Sequence, residues 1–246
     1  MFRLVFLLFC FTSTVVFCQN AKDIVQNSDI RLRGASSYAE LSITIVRPKW
    51  QKEMNLKSWS KGNDYSVTLV TSPAKEKGSV FLKRKREAWN YLPAIERTIK
   101  LPPSMMTQNW MGTDFTNDDL IKQSSIVIDY THEIIGSETL EGLDTWKIEL
   151  FPTEESSVVW GKLIVWIDKI DYMQLKTEFY DEDLEIVNKM VGSEIKQYSG
   201  RKLPSKLEFY PLEDEGHKTI IHYDKWNFDV KVPENYFSTQ YVSRLK

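Results

Sequence analysis

Residues 38–46 read YAELSITIV. Ala39, Leu41, Ile43 and Ile45 occupy every second position, and the residues between them are mostly polar or hydroxylated. A period of two is the mark of a half-buried β-strand, because successive side chains point to opposite faces. Arg47-Pro48 ends the run, since proline has no N–H to give a ladder. The same period continues downstream in residues 53–60, 64–71 and 79–84, parted by turns at Lys61-Gly62-Asn63 and Pro73 to Gly78. Residues 87–92 and 95–101 form a further pair about Pro93. Upstream the period changes. Residues 21–33 (AKDIVQNSDIRLR) predict an amphipathic helix with Ile24, Val25, Ser28, Ile30 and Leu32 on one face and Gly34 at its end.

Alternation fails in residues 102–124, which hold proline, methionine, tryptophan and phenylalanine without a period. This segment reads as a loop with one or two short helices, with Thr116 or Asn117 capping a turn through Leu120 and Ile121. Strands resume at residue 129 and continue to 228. They turn at Glu141-Gly142, Lys169 to Asp171 and Asp181-Glu182-Asp183, and residues 184–191 and 193–199 read as separate strands. About eleven strands joined by short turns predict an antiparallel meander. In residues 162–168, Leu163, Val165 and Ile167 oppose Ile164 and Trp166, so both faces are apolar there. Two solutions fit this pattern: a curved sheet wrapped over its few helices around an apolar hollow, or a fully packed sandwich or barrel.

The 246 residues begin with Arg3 followed by a nearly uninterrupted apolar run, Leu4 to Val16. The run is short of the roughly 20 apolar residues of a spanning helix and fits a signal peptide over residues 1–18, cleaved before Gln19. Cleavage before Cys18 with lipid attached to its thiol is the alternative. The mature domain then spans 19–246. The chain's two cysteines, Cys10 and Cys18, both lie in the leader, so the mature chain has no disulfide, no thiolate zinc site and no thiol nucleophile. The net charge of −2 is no nucleic-acid profile. Nucleophile-elbow, phosphate-loop and dinucleotide-binding motifs are absent. His132 stands alone, and His217 and His222 are five apart, which puts them on opposite sides of a strand and unsuited to sharing a metal. The sequence reads as a protein without catalysis, cofactor or metal.

The middle of the chain carries a more specific signal. Phe81-Leu82, Glu87-Ala88-Trp89-Asn90-Tyr91-Leu92-Pro93-Ala94 and Arg97 are followed by Asn109-Trp110-Met111-Gly112-Thr113-Asp114-Phe115-Thr116-Asn117-Asp118-Asp119-Leu120. Leu163 to Met173, Gly200-Arg201 with Pro204, and Phe237 follow in order. Together these resemble the LolA-like outer-membrane lipoprotein-sorting family over essentially the whole mature chain. The resemblance implies a mainly β fold, one curved antiparallel sheet of about eleven strands in an unclosed half-barrel lidded by a few short helices. It also implies a periplasmic carrier that holds lipid or lipoprotein acyl chains in an apolar cavity, a monomer passing cargo from an inner-membrane exporter to an outer-membrane acceptor. An envelope sensor that binds lipid and then a partner protein is the alternative.

On that reading Met105, Met106, Trp110, Met111 and Phe115 form the lid, because methionine-rich apolar surface adapts to cargo of varied shape. Leu41, Ile43, Ile45, Leu56 and Leu69 line the cavity by alternation, and Trp89 and Tyr91 either line it or anchor the core. Asp114 either caps a turn or pairs with Arg97. Lys83 to Arg86 read as a basic hairpin tip, and the acidic runs 181–183 and 213–215 as solvated tips.

Overall fold

The structure, a computed structural model, describes residues 20–122, 125–156 and 158–245. The expected signal peptide, with Cys10 and Cys18, lies outside the described residues. Helix α1 (Ala21–Arg33) precedes β1 (Ser36–Arg47), β2 (Trp50–Lys61), β3 (Tyr65–Ser72), β4 (Val80–Arg84), β5 (Glu87–Leu92) and β6 (Arg97–Lys100). A segment of short turns then leads to α2 (Asn117–Lys122). The second run of strands is β7 (Tyr130–Leu140), β8 (Leu143–Pro152), β9 (Lys162–Asp168), β10 (Gln174–Tyr180), β11 (Ile186–Tyr198), β12 (Arg201–Pro211) and β13 (Lys218–Phe228).

All thirteen strands form one antiparallel sheet in the order β6-β5-β4-β3-β2-β1-β13-β12-β11-β10-β9-β8-β7. The two end strands do not pair, so the sheet is not closed into a barrel. Among the described residues, only the β1–β13 seam joins strands distant in sequence, from Ser37↔Phe228 to Val46↔Lys218. The remaining pairs are hairpins, as short turns require. The count is thirteen rather than about eleven. Residues 79–84 and 95–101, expected as strands, are the five-residue β4 and the four-residue β6. Conversely, 184–191 and 193–199 are one strand, β11. It runs unbroken through Gly192, where a Cβ would lie 2.9 Å from Pro204 Cγ on β12. Glycine here is a close approach between strands rather than a break.

α1 begins at Asn20, whose Oδ1 accepts from the Lys22 N–H at 3.1 Å. It ends at Gly34, at φ 65°, with Arg201, Asp229 and Phe228 all 3.2 Å from where a Cβ would stand. Arg201 reaches from β12 to donate to the Ile30 and Arg31 carbonyls at 3.1 and 3.0 Å, and also pairs with Asp229 at 2.9 Å. The last carbonyls of the helix are thereby satisfied by the sheet. Ala21, Ile24 and Val25 pack against Tyr130, Ile148, Leu150, Leu163, Val165 and Ile167. Each fully buried aliphatic side chain contributes about 1.5–3 kcal/mol. α1 therefore covers one half of the inner face, over β7–β9.

The outer face differs along the sheet. Trp166 is buried there between the ammonium groups of Lys147 and Lys176, 5.0 and 4.0 Å from its ring, and donates to Glu138 at 2.7 Å. Over β3–β5 the outer face is covered by the C-terminal segment, through Phe237, Val242 and Leu245. Of the basic run, Arg84, Lys85 and Arg86 are exposed at the hairpin tip. Lys83 differs from the reading as a tip residue: it is buried, and loss of water pushes its amine down to about 8.

Candidate functional site

The other half of the inner face, over β1–β5 and β11–β13, is covered by residues 101–121. One apolar layer joins Ala39, Leu41, Ile43 and Ile45 of β1, Met54 and Leu56 of β2, Val70, Phe81 and Ala88 to Leu101, Trp110, Phe115 and Ile121 of the covering segment. Met105, Met106 and Met111 pack on this layer while partly buried. Nine of the twelve residues singled out by sequence thus meet: Leu41, Ile43, Ile45, Leu56, Met105, Met106, Trp110, Met111 and Phe115.

Leu69 and Trp89 do not join them, and Tyr91 does so only at the border of the cleft beside the covering segment. All three pack on the outer face with Phe237, Val242 and Leu245. A β-bulge at Thr71 shifts the register, so that Leu56 pairs with Val70 and Leu69 turns away. Leu69, Val80 and Tyr91 then share an outward row across β3, β4 and β5, as do Val67, Leu82 and Trp89. Because β4 is apolar on both faces, sequence alternation had nothing to distinguish the two sides.

The covering segment is held by its own hydrogen bonds. Trp110 and Phe115 stack at 6.0 Å, and Phe81 meets the Trp110 ring edge-on at 6.2 Å. The Trp110 N–H donates to Phe115 O at 3.0 Å, and the buried Thr113 hydroxyl to Trp110 O at 2.6 Å. Met111, at φ 52°, and Gly112, at φ 86°, reverse the chain between them. Of the two residues expected to cap this turn, Thr116 caps α2. Its N–H and hydroxyl donate to Asp119 Oδ2 at 2.8 and 2.9 Å, and the Asp119 N–H returns to the Thr116 hydroxyl at 3.1 Å. Trp160, from the β8–β9 connection, donates to Asp119 Oδ1 at 3.2 Å. Burial raises the Asp119 carboxyl above its ordinary value, against the opposing pull of these donors.

The strongest tie was not foreseen. Asp114 pairs with Arg47 at the end of β1, at 2.8 Å, rather than with the exposed Arg97. Side-chain exposure is 10% for Arg47 and 5% for Asp114. Arg47 also donates to the Gly112 carbonyl at 2.8 Å. The Thr219 hydroxyl of β13 donates to Asp114 Oδ2 at 2.6 Å. The ion pair therefore clasps the covering segment to the β1–β13 seam. In sequence, Arg47 is visible only as the residue that ends a strand, and its partner is 67 positions away.

Two clefts border the segment. One, of about 210 Å³, lies between it and β3–β5, with Val70, Phe81, Asn90, Gln108, Trp110 and Asn117 among its walls. The other, of about 290 Å³, is polar and lies between Asn109, Asp114 and Thr116 and the acidic β12–β13 turn at Glu213 and Asp214.

A family model described as "-like: Uncharacterized protein" matches residues 62–244. The chain belongs to that family. No curated protein matches the sequence. Among solved structures, the fold is shared with a DUF1329 family protein from Desulfovibrio piger, at 22% identity and a TM-score of 0.82 over 90% of this chain and 97% of that one. It is shared with a domain named for outer-membrane lipoprotein sorting from Vibrio parahaemolyticus, at 22% identity and 0.78 over 91% and 98%. A LolA superfamily protein from Nitrosomonas europaea aligns at 21% identity and 0.75 over 91% and 99%. The family member described here thus has the LolA-like fold expected from its central motifs. Among its described residues no helix is long and apolar enough to cross a membrane.

Proposed function

We propose that this protein is a periplasmic carrier that takes up lipid or lipoprotein acyl chains beneath the segment 101–121 and passes them between envelope partners. The observation that carries this reading is the clasped apolar layer. Trp110 and Phe115, with three methionines around them, cover aliphatic side chains of β1 and β2, and a buried ion pair ties the cover to the sheet. In the state described, the apolar cleft of about 210 Å³ is smaller than the ~300–1,000 Å³ usual for ligand sites. Cargo enters by displacing the rings of Trp110 and Phe115, so that acyl methylenes replace them on the sheet. Each buried methylene returns about 0.8 kcal/mol, so a chain of ten can repay the exposure of two aromatic rings. Release follows when the segment closes again and its own side chains compete for the layer. The roles of Leu41, Ile43, Ile45, Leu56, Met105, Met106 and Met111 are to line this layer. A layer of aliphatic, methionine and aromatic side chains suits holding an acyl chain.

The test is native mass spectrometry of the chain exported to a Gram-negative periplasm and purified without detergent, followed by lipid extraction. A stoichiometric lipid adduct, lost in a Trp110→Asp/Phe115→Asp variant that keeps the sheet's circular dichroism, is expected. A chain that stays free of lipid after incubation with mixed lipid vesicles would sink the carrier reading.

A further inference from the structure

Asn117 sits at the start of α2 and lines the 210 Å³ cleft. It is 5% exposed. Its Nδ2 donates to the Met105 carbonyl at 2.9 Å and the Gln108 carbonyl at 3.1 Å, and its backbone N–H donates to Gln108 O at 3.0 Å. Two carbonyl acceptors around Nδ2 fix which way the amide lies, since an oxygen in that place would face oxygens. That leaves Oδ1 turned away from those carbonyls; it is closed to solvent, so an occupant reaches it only as the covering segment shifts, and it has no hydrogen-bond partner among the described residues. A buried amide oxygen without a donor is rare in a folded chain and points to a group that completes it.

The rest of the wall says what that group is. Ser79, Asn90, Gln108 and Asn109 add neutral polar atoms, and Val70, Phe81 and Trp110 add apolar surface. Among the described residues, no lysine, arginine, aspartate or glutamate lines the cleft. A charged head would lose its water there and find no counter-charge. At about 210 Å³, the cleft lies below the ~300–1,000 Å³ usual for whole-ligand sites, which suits a small head and the root of one chain.

We infer that this cleft is the headgroup subsite for a neutral amphiphile, whose O–H or N–H next to the root of its acyl chain donates to Asn117 Oδ1. The inference rests on the carrier reading and narrows it: the acyl chain runs on beneath Trp110, while anionic phospholipid heads and free fatty-acid carboxylates are poor occupants. Two sources share this chemistry, the hydroxyl of a glyceride and the amide N–H of an N-acylated amine.

The experiment uses the wild-type mature chain and paired probes. N-methyldecanamide is compared with N,N-dimethyldecanamide, and 1-decanoylglycerol with methyl decanoate, with sodium decanoate as the charged head. Affinity is measured by calorimetry, and the Asn117 side-chain amide is followed by NMR. The donor-bearing member of at least one pair should bind about tenfold more tightly and shift the Asn117 amide resonance. The pair with the larger ratio identifies the source. Equal affinities within both pairs, an unmoved Asn117 resonance, or preference for decanoate overturns the headgroup assignment and leaves the carrier reading standing. Failure of every probe to bind overturns both.

Discussion

Replacing Arg47 with leucine leaves the Asp114 carboxylate buried with only the Thr219 hydroxyl and no counter-charge. Breaking a buried ion pair on one side costs about 3–5 kcal/mol. The sheet does not have to bear that cost. β1 is paired along its length on both sides, to β2 and to β13, whereas residues 101–121 make a single isolated bridge, Asn109↔Thr116. Opening the covering segment lets Asp114 return to water, so the loss appears as local opening. At a factor of ten per 1.4 kcal/mol, the segment should open roughly 140- to 3,700-fold more often. Hydrogen exchange reads this directly. The amides of Trp110, Thr113, Asn117 and Asp118, all bonded within the segment, should exchange faster by that factor, and those of β1 and β2 should not. Asp114→Leu strands Arg47 in the same way and should act alike. The double variant Arg47→Leu/Asp114→Leu removes both charges and should open less than either single change. Unchanged exchange in the single variants, or a double variant as damaged as the sum of its parts, would refute the clasp.

Phe237→Ala empties a buried aromatic site on the outer face, beside Tyr65 and the β3–β4 row; it should cost about 3–5 kcal/mol in urea unfolding, and a loss below 1 kcal/mol would contradict the packing. Gly192→Ala drives a Cβ to 2.9 Å from Pro204 and 3.3 Å from Leu207; about 1–3 kcal/mol of overpacking is expected, read as a lowered melting temperature. The His132 Nε2–H donates to the Ile126 carbonyl at 2.7 Å, and burial pulls its imidazole below the ordinary 6.5. The unfolded chain therefore takes up that proton first. Stability contributed by neutral His132 is present above pH 6.5 and is lost as pH falls below it. Urea midpoints at pH 7.5, 6 and 5 should show the decline, and His132→Gln should flatten it.

Local period and turn chemistry determined most of the architecture. α1 lies at the predicted residues 21–33, and β1, β5 and β13 lie within two residues of their expected limits, because each depends on side chains a few positions apart. The antiparallel order of hairpins followed for the same reason. The break in alternation at residues 102–124 marked the covering segment, and its methionines and aromatic rings pack on the layer of β1 and β2. What the sequence could not determine are matters of register and of distant pairing. A single bulge at Thr71 put Leu69, with Trp89 and Tyr91, on the opposite face. The β1–β13 seam brought Thr219 to Asp114 and left Arg47, rather than Arg97, as its ion partner. Lys83, read as a solvated charge, is buried because the sheet continues through it. Alternation along one strand is a property of neighbours in the chain. Which of two apolar faces is inner, and which distant charge completes a pair, is settled only when thirteen strands take one register together.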